Sequence, residues 1–408
     1  MTAPLLEPLD RRQLMAANPY LDTAFNGTGV STLTFRLSAD DSIIQTMQIV
    51  NKANSSTNTT YVLAKTKSTA QVRRLQADGT VDTGFGKNGL LLLPIADNER
   101  VKIDADTTGN LILLAGNTIY RFDGLGQSLN PNFGTGGALK LSDFTGKMDM
   151  DVDAANKIYV TGETKNGDGI LVQRFISRGK RDVTFNNSGQ VVVPLPCAYR
   201  TLENPVANGV FVRVIDDATP DDSTDDQIIV AGDASADSYD GVETVRLNYN
   251  GTLQTGYGTN GVAYLLAQKS NEAVSNSVTL TGALPDGRVG ITALSVDNPG
   301  LGGTTSVYTG TFLPNGNRDT TSATGRPYIN AVAAPNDTYV GLTSDGLYRY
   351  NASNALIGTV PAISGASDIA AYGPADDDGL AIFTVSFASK AGRLNVTRYL
   401  PGLVPVLV

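Results

Sequence analysis

Hydrophobic and polar residues alternate in short runs along this chain, and turn-forming residues separate the runs. One pair of runs is Val101-Lys-Ile-Asp-Ala105 and Leu111-Ile-Leu-Leu-Ala115, separated by the turn Asp106-Thr-Thr-Gly-Asn110. A second pair is Met148-Asp-Met-Asp-Val152 and Ile158-Tyr-Val-Thr-Gly162. Alternation, β-branched residues and clusters of Gly, Asn and Asp are typical of strands joined by tight turns. Outside the N-terminal leader we find no amphipathic helical period, so the sequence predicts an all-β chain.

An aromatic residue followed four positions later by glycine recurs along the chain and is named here the aromatic–glycine motif. We expect its glycine to adopt positive φ and its aromatic ring to pack between neighbouring units. The polar residue three positions before the aromatic is expected to accept backbone N–H bonds in an Asx-type turn. The copies are Phe25/Gly29, Phe85/Gly89, Phe133/Gly137, Phe185/Gly189 and Tyr257/Gly261, preceded by Asp22, Asp82, Asn130, Asp182 and Gln254.

A second motif is a hydrophobic strand that carries arginine and leads into a turn, as in Val72-Arg-Arg-Leu-Gln-Ala-Asp-Gly79. Repeats at a spacing of several tens of residues are typical of propellers and solenoids. The arginine either pairs with a turn aspartate of its own or the adjacent unit, or lies solvated along the strand. Seven copies align on Arg74, Arg121, Arg174, Arg246, Thr311, Arg349 and Arg398, with steps of 47, 53, 72, 65, 38 and 49 residues.

Each unit therefore contains an inner strand, a middle strand, the arginine-bearing strand and an outer strand after the aromatic–glycine motif. Seven such units predict an all-β, seven-bladed β-propeller of four-stranded antiparallel blades. The first strand, Val30–Phe35, is of the outer type, and the last, Leu394–Leu400, bears arginine. We therefore expect the N-terminal outer strand to pair with the C-terminal blade and close the ring. Six or eight blades would follow if the degenerate unit around Asp319–Val360 is misread.

The predicted organisation is a leader or sorting-type segment at 1–20, a single propeller domain at 21–402 and a C-terminal tail at 403–408. The joined motifs, Leu-Asp-x-x-Phe-Gly-x-x-Gly and Arg-Tyr/Phe/Leu-x-x-Asp-Gly, resemble the delta-60 repeat family of bacterial proteins. The resemblance is strongest over Arg74–Gly89 and weakest from Gly316 to Asn354. It implies a propeller fold in an exported bacterial protein, and it carries no catalytic residues.

The first residues, Leu5-Leu-Glu-Pro-Leu-Asp-Arg-Arg-Gln-Leu-Met-Ala-Ala17, are similar to a Leu-Glu-Pro-Arg-type motif of bacterial surface proteins. Charged residues lie inside this segment and no apolar stretch follows it, so it does not have the pattern of a secretory signal peptide. Two interpretations stay open for it. It is either an export or sorting tag, or an amphipathic leader packed on the propeller.

Composition and charge exclude several classes of function. The net charge of −9 and the absence of a basic stripe argue against nucleic-acid binding. No apolar run approaches the roughly 18 residues of a membrane span. Histidine is absent, which excludes Ser–His or Cys–His catalysis and histidine metal sites. The single cysteine, Cys197, cannot form an internal disulfide and is interpreted as a small buried residue.

The largest interruption of the repeat is the acidic insertion Asp216–Asp226, which has six carboxylates in 11 residues. It can supply the oxygen ligands that Ca²⁺ prefers, but it lacks the glycine and terminal glutamate of an EF-hand loop. A solvated loop is the alternative. Asp376–Asp378 is a second, smaller acidic turn. Long connections are expected at Asp233–Gly241 and Asp297–Thr305, where Tyr239, Asp240 and Asn298 suit a polar ligand such as a glycan.

The sequence assigns no catalytic, cofactor-binding or metal residue. The leading hypothesis is a non-catalytic, exported bacterial propeller that serves as a binding or structural module of the cell surface or an extracellular assembly. Its expected partner is a protein or glycan at that surface. The alternative is a carboxylate-dependent propeller enzyme, a lyase or glycosidase acting on glycans, because glycoside cleavage requires only an Asp/Glu pair at roughly 5–10 Å. A third hypothesis is a subunit that self-associates into a filament or layer.

Overall fold

The structure is a computed structural model, and it contains strands and turns but no helix in the residues that it describes. The 27 strands of these residues form seven antiparallel sheets, which confirms the all-β prediction. Within the same residues, nothing long and apolar enough to cross a membrane as a helix is present. The described residues are 20–37, 45–51, 60–97, 99–167, 169–194, 206–215, 226–236, 239–268, 274–283, 289–297, 305–317, 328–334, 338–343, 345–351, 356–361, 366–372, 381–387 and 392–399.

The first three sheets are each built from four strands that are consecutive along the chain. Sheet 1 contains β2 (Gln45–Asn51), β3 (Thr60–Lys65), β4 (Thr69–Leu75) and β5 (Leu91–Pro94). Sheet 2 contains β6 (Val101–Ala105), β7 (Leu111–Ala115), β8 (Thr118–Arg121) and β9 (Ala138–Lys140). Sheet 3 contains β10 (Phe144–Val152), β11 (Ile158–Thr164), β12 (Gly169–Phe175) and β13 (Gln190–Pro194).

The next three sheets continue this order. Sheet 4 contains β14 (Val206–Ile215), β15 (Gln227–Ala236), β16 (Tyr239–Asn248) and β17 (Val262–Gln268). Sheet 5 contains β18 (Val274–Ala283), β19 (Val289–Asp297) and β20 (Thr305–Phe312). Sheet 6 contains β21 (Tyr328–Ala334), β22 (Thr338–Thr343), β23 (Gly346–Tyr350) and β24 (Leu356–Pro361).

Sheet 7 joins the two ends of the chain. It contains β25 (Ala366–Tyr372), β26 (Ala381–Phe387), β27 (Arg393–Tyr399) and, beside β27, β1 (Val30–Thr34). Val30 lies opposite Thr397 and Thr34 lies opposite Arg393 in an antiparallel register. The expected pairing of the first strand with the last is therefore present. The first strands of successive sheets are also neighbours, in the order β2, β6, β10, β14, β18, β21 and β25, and β25 in turn contacts β2.

Hydrophobic contacts between sheets explain why a short strand can be apolar on both sides. All seven residues of β12 are buried. Leu171 and Phe175 pack with residues of sheet 2, whereas Ile170 and Val172 pack with residues of sheet 4. A sheet of four short strands cannot be stable alone, so its two faces must be covered by neighbouring sheets.

One sequence-based expectation differs from the structure, and two others fall outside the described residues. Asp233–Gly241 is not a long connection, because β15 continues to Ala236 and β16 begins at Tyr239. Pairing with β14 on one side and β17 on the other holds these small and polar residues in strands, against their loop-like composition. Sheet 5 has three strands in the described residues rather than the expected four, and 318–327 lie outside those residues. The connection within Asp297–Thr305 also lies outside the described residues, between the end of β19 and the start of β20.

Candidate functional site

In each copy of the aromatic–glycine motif the aromatic N–H donates to the carbonyl three residues earlier, but the side-chain bond expected for Gln254 is absent, since its Oε1 has no hydrogen-bond partner in the described residues. In sheet 1, Asp82 Oδ1 accepts a hydrogen bond from Gly84 N at 2.9 Å, which is the expected Asx-type turn. Phe85 is completely buried, as are the other aromatic residues of the motif. The expected positive φ is confirmed for all five glycines, at 79° for Gly29, 75° for Gly89, 91° for Gly137, 80° for Gly189 and 91° for Gly261. The motif thus serves the turn, as its regularity predicts.

The repeated arginine pairs with a turn aspartate, which settles the two interpretations of its role in four copies. Arg74 Nη2 lies 2.6 Å from Asp82 Oδ2, and Arg174 Nε lies 3.0 Å from Asp182 Oδ2. In sheet 2 the motif has an uncharged asparagine, and the arginine pairs with an aspartate of the β6–β7 turn instead. The remaining pairs are Arg121 with Asp106, and Arg398 Nη2 with Asp22 Oδ2 at 2.7 Å.

The same arginine reaches the following sheet. Arg398 Nη1 donates a hydrogen bond to Ala77 O at 2.7 Å, and Arg246 Nη1 donates one to Pro314 O at 3.1 Å. Its guanidinium also lies over the aromatic ring of the motif, for example 4.9 Å from the ring centroid of Phe25 for Arg398. A cation over the face of an aromatic ring is attracted electrostatically by the ring quadrupole. The arginine is therefore bound on one side by its own turn and on the other by the next sheet.

A second hydrogen bond joins the same two sheets. The backbone amide that follows each aromatic residue of the motif donates to a carbonyl of the next sheet's turn, one residue beyond the carbonyl that the arginine binds. This pair of hydrogen bonds, one from the arginine and one from that amide, is named here the junction clasp. The amide bonds are Asn26 N to Asp78 O at 2.5 Å, Gly86 N to Leu125 O at 2.7 Å, Gly134 N to Arg178 O at 2.9 Å, Asn186 N to Asn250 O at 2.6 Å and Gly258 N to Asn315 O at 2.7 Å. The arginine bonds are Arg398 to Ala77, Arg74 to Gly124, Arg121 to Ser177, Arg174 to Tyr249 and Arg246 to Pro314.

The clasp between sheets 3 and 4 contains a group of ionisable residues centred on Asp182. Asp182 accepts hydrogen bonds from Lys157 Nζ at 2.7 Å and Thr184 Oγ1 at 2.6 Å in addition to its ion pair with Arg174. Burial acts to raise the pKa of Asp182, but these hydrogen bonds and the arginine charge bring it down to about 2. Asp182 is thus held ionised by its partners and acts as a structural anion.

A second group of buried carboxylates lies on the inner strands, at Asp104, Asp149 and Asp151. Asp104 Oδ2 accepts from Val152 N at 2.9 Å, across the junction of sheets 2 and 3. Asp149 and Asp151 accept from backbone amides of β14, and Lys102 Nζ lies 3.0 Å from Asp149 Oδ1. These carboxylates therefore accept hydrogen bonds from backbone N–H groups at the edges of neighbouring inner strands.

Sequence reasoning did not single out these carboxylates, although alternation along β10 contained the signal. Met148, Met150 and Val152 pack in the core beside sheet 2. Asp149 and Asp151 occupy the intervening positions and bond to sheet 4. A strand in which aspartate alternates with apolar residues has one acidic face. When both faces are covered by other sheets, such a strand predicts carboxylates that accept hydrogen bonds from backbone amides.

The sequence-predicted Ca²⁺ positions are mostly beyond the described residues. Residues 216–225 of the acidic insertion, Asp376–Asp378 and Cys197 lie outside them, whereas Asp226 is described and buried. In the residues that the structure describes, no group of three or more acidic or cysteine side chains could hold a metal ion. Tyr239 and Asp240 lie on β16 rather than in a ligand-binding loop.

Residues 224–257 match a family model described as "Domain of unknown function (DUF5122) beta-propeller". The matched segment includes β15, β16 and the clasp residues Arg246 and Tyr257. The chain has a β-propeller fold. The resemblance to delta-60 repeat proteins is supported over this short segment, and the N-terminal motif is not part of the match.

Solved structures with similar folds have low sequence identity to the chain. A polysaccharide lyase, Uly1, is 9% identical with a TM-score of 0.47, over 90% of this chain and 100% of the other. BBS1N in complex with ARL6DN is 11% identical with a TM-score of 0.46, over 90% and 98%. The Pan2 WD40 domain of Neurospora crassa is 10% identical with a TM-score of 0.44, over 88% and 90%. A comparison with curated proteins gave no match.

Proposed function

We propose that this chain is a non-catalytic, exported bacterial β-propeller that serves as a binding or structural module of the cell surface or an extracellular assembly. The observation that supports this function best is the use of its buried charges. The clasp arginines and aspartates bind one another and the next sheet, and the inner-strand aspartates bind backbone amides. Buried arginine and aspartate side chains that bind neighbouring sheets favour a rigid scaffold over a catalytic centre.

We further propose that the seven sheets are the blades of one closed propeller domain spanning residues 21–402. Pairing of β1 with β27 supports closure. The ion pair between Arg398 and Asp22 supports it as well, because this clasp is built from both chain ends. A closed ring leaves only short outer edges exposed, and Pro94 ends β5 while Pro361 ends β24. Proline at the end of an edge strand disfavours pairing with another chain, so we place self-association behind binding.

The rival function, a carboxylate-dependent lyase or glycosidase, needs acids that can exchange protons with a substrate. Asp104, Asp149 and Asp151 are the buried inner-strand carboxylates available in the described residues, and each accepts a backbone N–H from the next sheet. Protonation of an acid in such a position weakens its structural bonds, because a neutral carboxyl group is a poorer acceptor than a carboxylate. This cost supports the binding hypothesis, in which the partner is a protein or a glycan at the cell surface.

A paired binding and turnover assay tests the proposal. The purified chain is incubated with a panel of bacterial surface polysaccharides, with calorimetry for binding and chromatography for cleaved products. We expect binding without products. Product formation that disappears in Asp149→Asn and persists in Asp143→Asn would establish the enzyme instead. The absence of both binding and products on glycans would move the search to protein partners, captured from the surface fraction by the immobilised chain.

The proposed location is tested separately by fractionating the native cells. We expect the protein in the medium or the surface fraction. Its retention in the cytoplasm with soluble markers would contradict export, whatever the result of the binding assay.

A further inference from the structure

One buried carboxyl group lacks the hydrogen bonds that the other buried carboxyl groups have. Glu243 on β16 is 0% exposed, and within the described residues neither of its carboxyl oxygens has a hydrogen-bond partner. Gln71 occupies the same position of the repeat, three residues before the clasp arginine. Gln71 accepts a hydrogen bond from Arg36 N at 2.9 Å and donates one to Arg36 O at 2.6 Å. Sheet 4 thus has an ionisable group at the position where sheet 1 has a neutral amide with two hydrogen bonds.

Apolar side chains share the face of β16 on which Glu243 lies. By alternation along β16, Glu243 shares a face with Val245 and Leu247, which pack in the core between sheets 3 and 4. Its neighbour in register on β15 is Gly232, which has no side chain, and its neighbour on β17 is Tyr264. The carboxyl group therefore lies at the junction of two sheets, beside a position that offers it no polar side chain.

Ionisable groups that face this junction are engaged elsewhere. Tyr159 donates to Asp153 Oδ2 at 3.0 Å, and Glu163 accepts from Thr145 Oγ1 at 3.1 Å, both on β11. Arg174 on β12 is paired with Asp182. On β10, Asp149 and Asp151 accept from Val212 N and Val214 N. The remaining strands at this junction present apolar residues to the core, namely Val191 and Val193 on β13, Val212 and Val214 on β14, Ile228 and Val230 on β15, and Val262 on β17.

We propose that Glu243 makes the junction between sheets 3 and 4 responsive to pH. The two sheets pack while its carboxyl group holds a proton, and loss of the proton favours a state in which the sheets part and Glu243 reaches water. An ionised carboxylate without a partner is strongly disfavoured in an apolar interior, so ionisation and parting are linked. Because each sheet is covered by its neighbours, parting would expose the face of sheet 4 and with it the long β15–β16 hairpin.

The direction of the pH dependence follows from the two states. Burial raises the pKa of Glu243 from its ordinary value of 4.5 to about 8. The packed junction therefore holds the proton more tightly than the parted one, and its stability is greatest below pH 4.5. As the pH rises from there to about 8, parting becomes up to ~10-fold more favourable per pH unit. Above this range both states have lost the proton and the dependence ends.

Hydrogen exchange of the full chain tests this proposal, with the readout on the amides of β12 and β16. Protection is measured at about pH 5.5 and about pH 7.5 and corrected for the intrinsic pH dependence of exchange. We expect the opening equilibrium of these strands to rise by about 100-fold in the unaltered protein. In Glu243→Gln, which keeps the shape but cannot ionise, it should stay constant. The matched control is Glu163→Gln, which alters a hydrogen-bonded carboxyl facing the same core and should retain the rise.

Equal pH dependence in the unaltered protein and Glu243→Gln would overturn the proposal. A second measurement decides the matter even if the variant does not fold. The chain has six glutamates, so selective ¹³C labelling of their carboxyl groups gives a small set of resonances. We expect one of them to titrate above about pH 7, against an ordinary glutamate near 4.3. If all six titrate near the ordinary value, Glu243 is not the proton-binding group proposed.

Discussion

At the scale of single residues, one arginine side chain performs three tasks in the junction clasp. Arg174 pairs with Asp182, lies 4.8 Å from the ring centroid of Phe185, and donates to Tyr249 O in the next sheet. A guanidinium can do this because its donors lie in a planar fork with fixed directions and its face stacks on aromatic rings. Lysine offers a single flexible ammonium and cannot reach all of these partners at once. This explains why the clasp copies retain arginine.

Replacement of Asp182 by asparagine tests the contribution of the buried ion pair. The variant leaves Arg174 and Lys157 without their carboxylate at a site that is almost closed to solvent, so we expect it to lower the free energy of unfolding by about 3 kcal/mol. The control is Asp143→Asn, because the Asp143–Arg181 pair is partly exposed and should contribute less than about 1 kcal/mol. Urea unfolding measures both. Equal losses in the two variants would contradict a special role for the buried pair.

The pH dependence of the same variant follows from the lowered pKa of Asp182. Burial alone would raise this pKa, but the partners lower it to about 2, below the roughly 3.9 of an unfolded aspartate. Asp182 therefore stabilises the folded protein above about pH 4 and loses this contribution as the pH falls toward 2. The difference in unfolding midpoint between Asp182→Asn and the unaltered protein should be constant from neutral pH to about pH 4 and shrink below it. A difference that grows in acid would have the wrong sign.

At the scale of elements, the turn of each arginine motif is as important as the strand that leads to it. Gly251, at φ 85°, lies in the turn that receives the clasp of sheet 3. A Cβ atom there would be 2.8 Å from Phe185 Cδ2 and 2.9 Å from Asn186 N, both in sheet 3. The glycine thus permits both the left-handed backbone and the close approach of two sheets.

Alanine at Gly251 should separate these two effects when it is compared with alanine at Gly136. Gly136 also has positive φ, at 61°, but an added Cβ would have nothing within 4 Å. We expect Gly136→Ala to cost about 1 kcal/mol from backbone strain. Gly251→Ala should cost a further 1–3 kcal/mol, roughly, because the two sheets must move apart. Thermal unfolding checks the difference, and limited proteolysis should find the β16 region of Gly251→Ala more susceptible. Similar losses in both variants would mean that the close approach is unimportant.

The sequence predicted those elements that depend on local pattern. The aromatic–glycine motif has a fixed internal spacing, and its turn glycines, its buried aromatics and the order of strands in a unit are present as expected. Pairing of Arg121 with a turn aspartate of its own unit was predicted, but Asp106 was not singled out, because it lies in the β6–β7 turn rather than in the aromatic–glycine motif. The prediction for Asp233–Gly241 was wrong, because pairing on both sides overrides a loop-like composition. The unpaired Glu243 was also missed, because residues of another sheet, which are distant in the sequence, form part of its environment.

At the scale of the whole molecule, the two chain ends together rebuild one repeat unit. Asp22 N donates to Arg398 O at 3.0 Å, as Asp82 N donates to Arg74 O at 2.9 Å within sheet 1. Leu21 bridges to Tyr399. The clasp that this split unit makes with sheet 1 has the same hydrogen bonds as those inside the chain. The degenerate unit is a different case: Thr311 replaces arginine there, and no aromatic residue stands between Gly316 and Tyr328. In the closed ring proposed above, the two chain ends should therefore be held at least as firmly as the two sheets at the junction that follows sheet 5.

A disulfide between β1 and β27 tests the joining of the ends directly. Thr32 lies opposite Asn395, and their side chains share a hydrogen bond of 2.8 Å. We expect Thr32→Cys/Asn395→Cys, made with Cys197→Ser to remove the native thiol, to oxidise spontaneously. The bridge spans nearly the whole chain and should stabilise the fold by up to about 5 kcal/mol relative to the reduced form. Mass spectrometry of the linked peptides and thermal unfolding with and without reductant measure these effects.

The control pair is Thr32→Cys/Leu125→Cys, which places a more accessible thiol on the exposed turn of sheet 2. Sheet 1 separates the two positions in a closed ring, so this pair should stay reduced within one molecule. If both pairs formed bridges, the N-terminal strand would be sampling the surface rather than completing sheet 7. If neither formed, the ends would be apart and the ring open. Only a bridge confined to the first pair, with a higher unfolding temperature than its reduced form, is consistent with a propeller whose last blade is completed by its first strand.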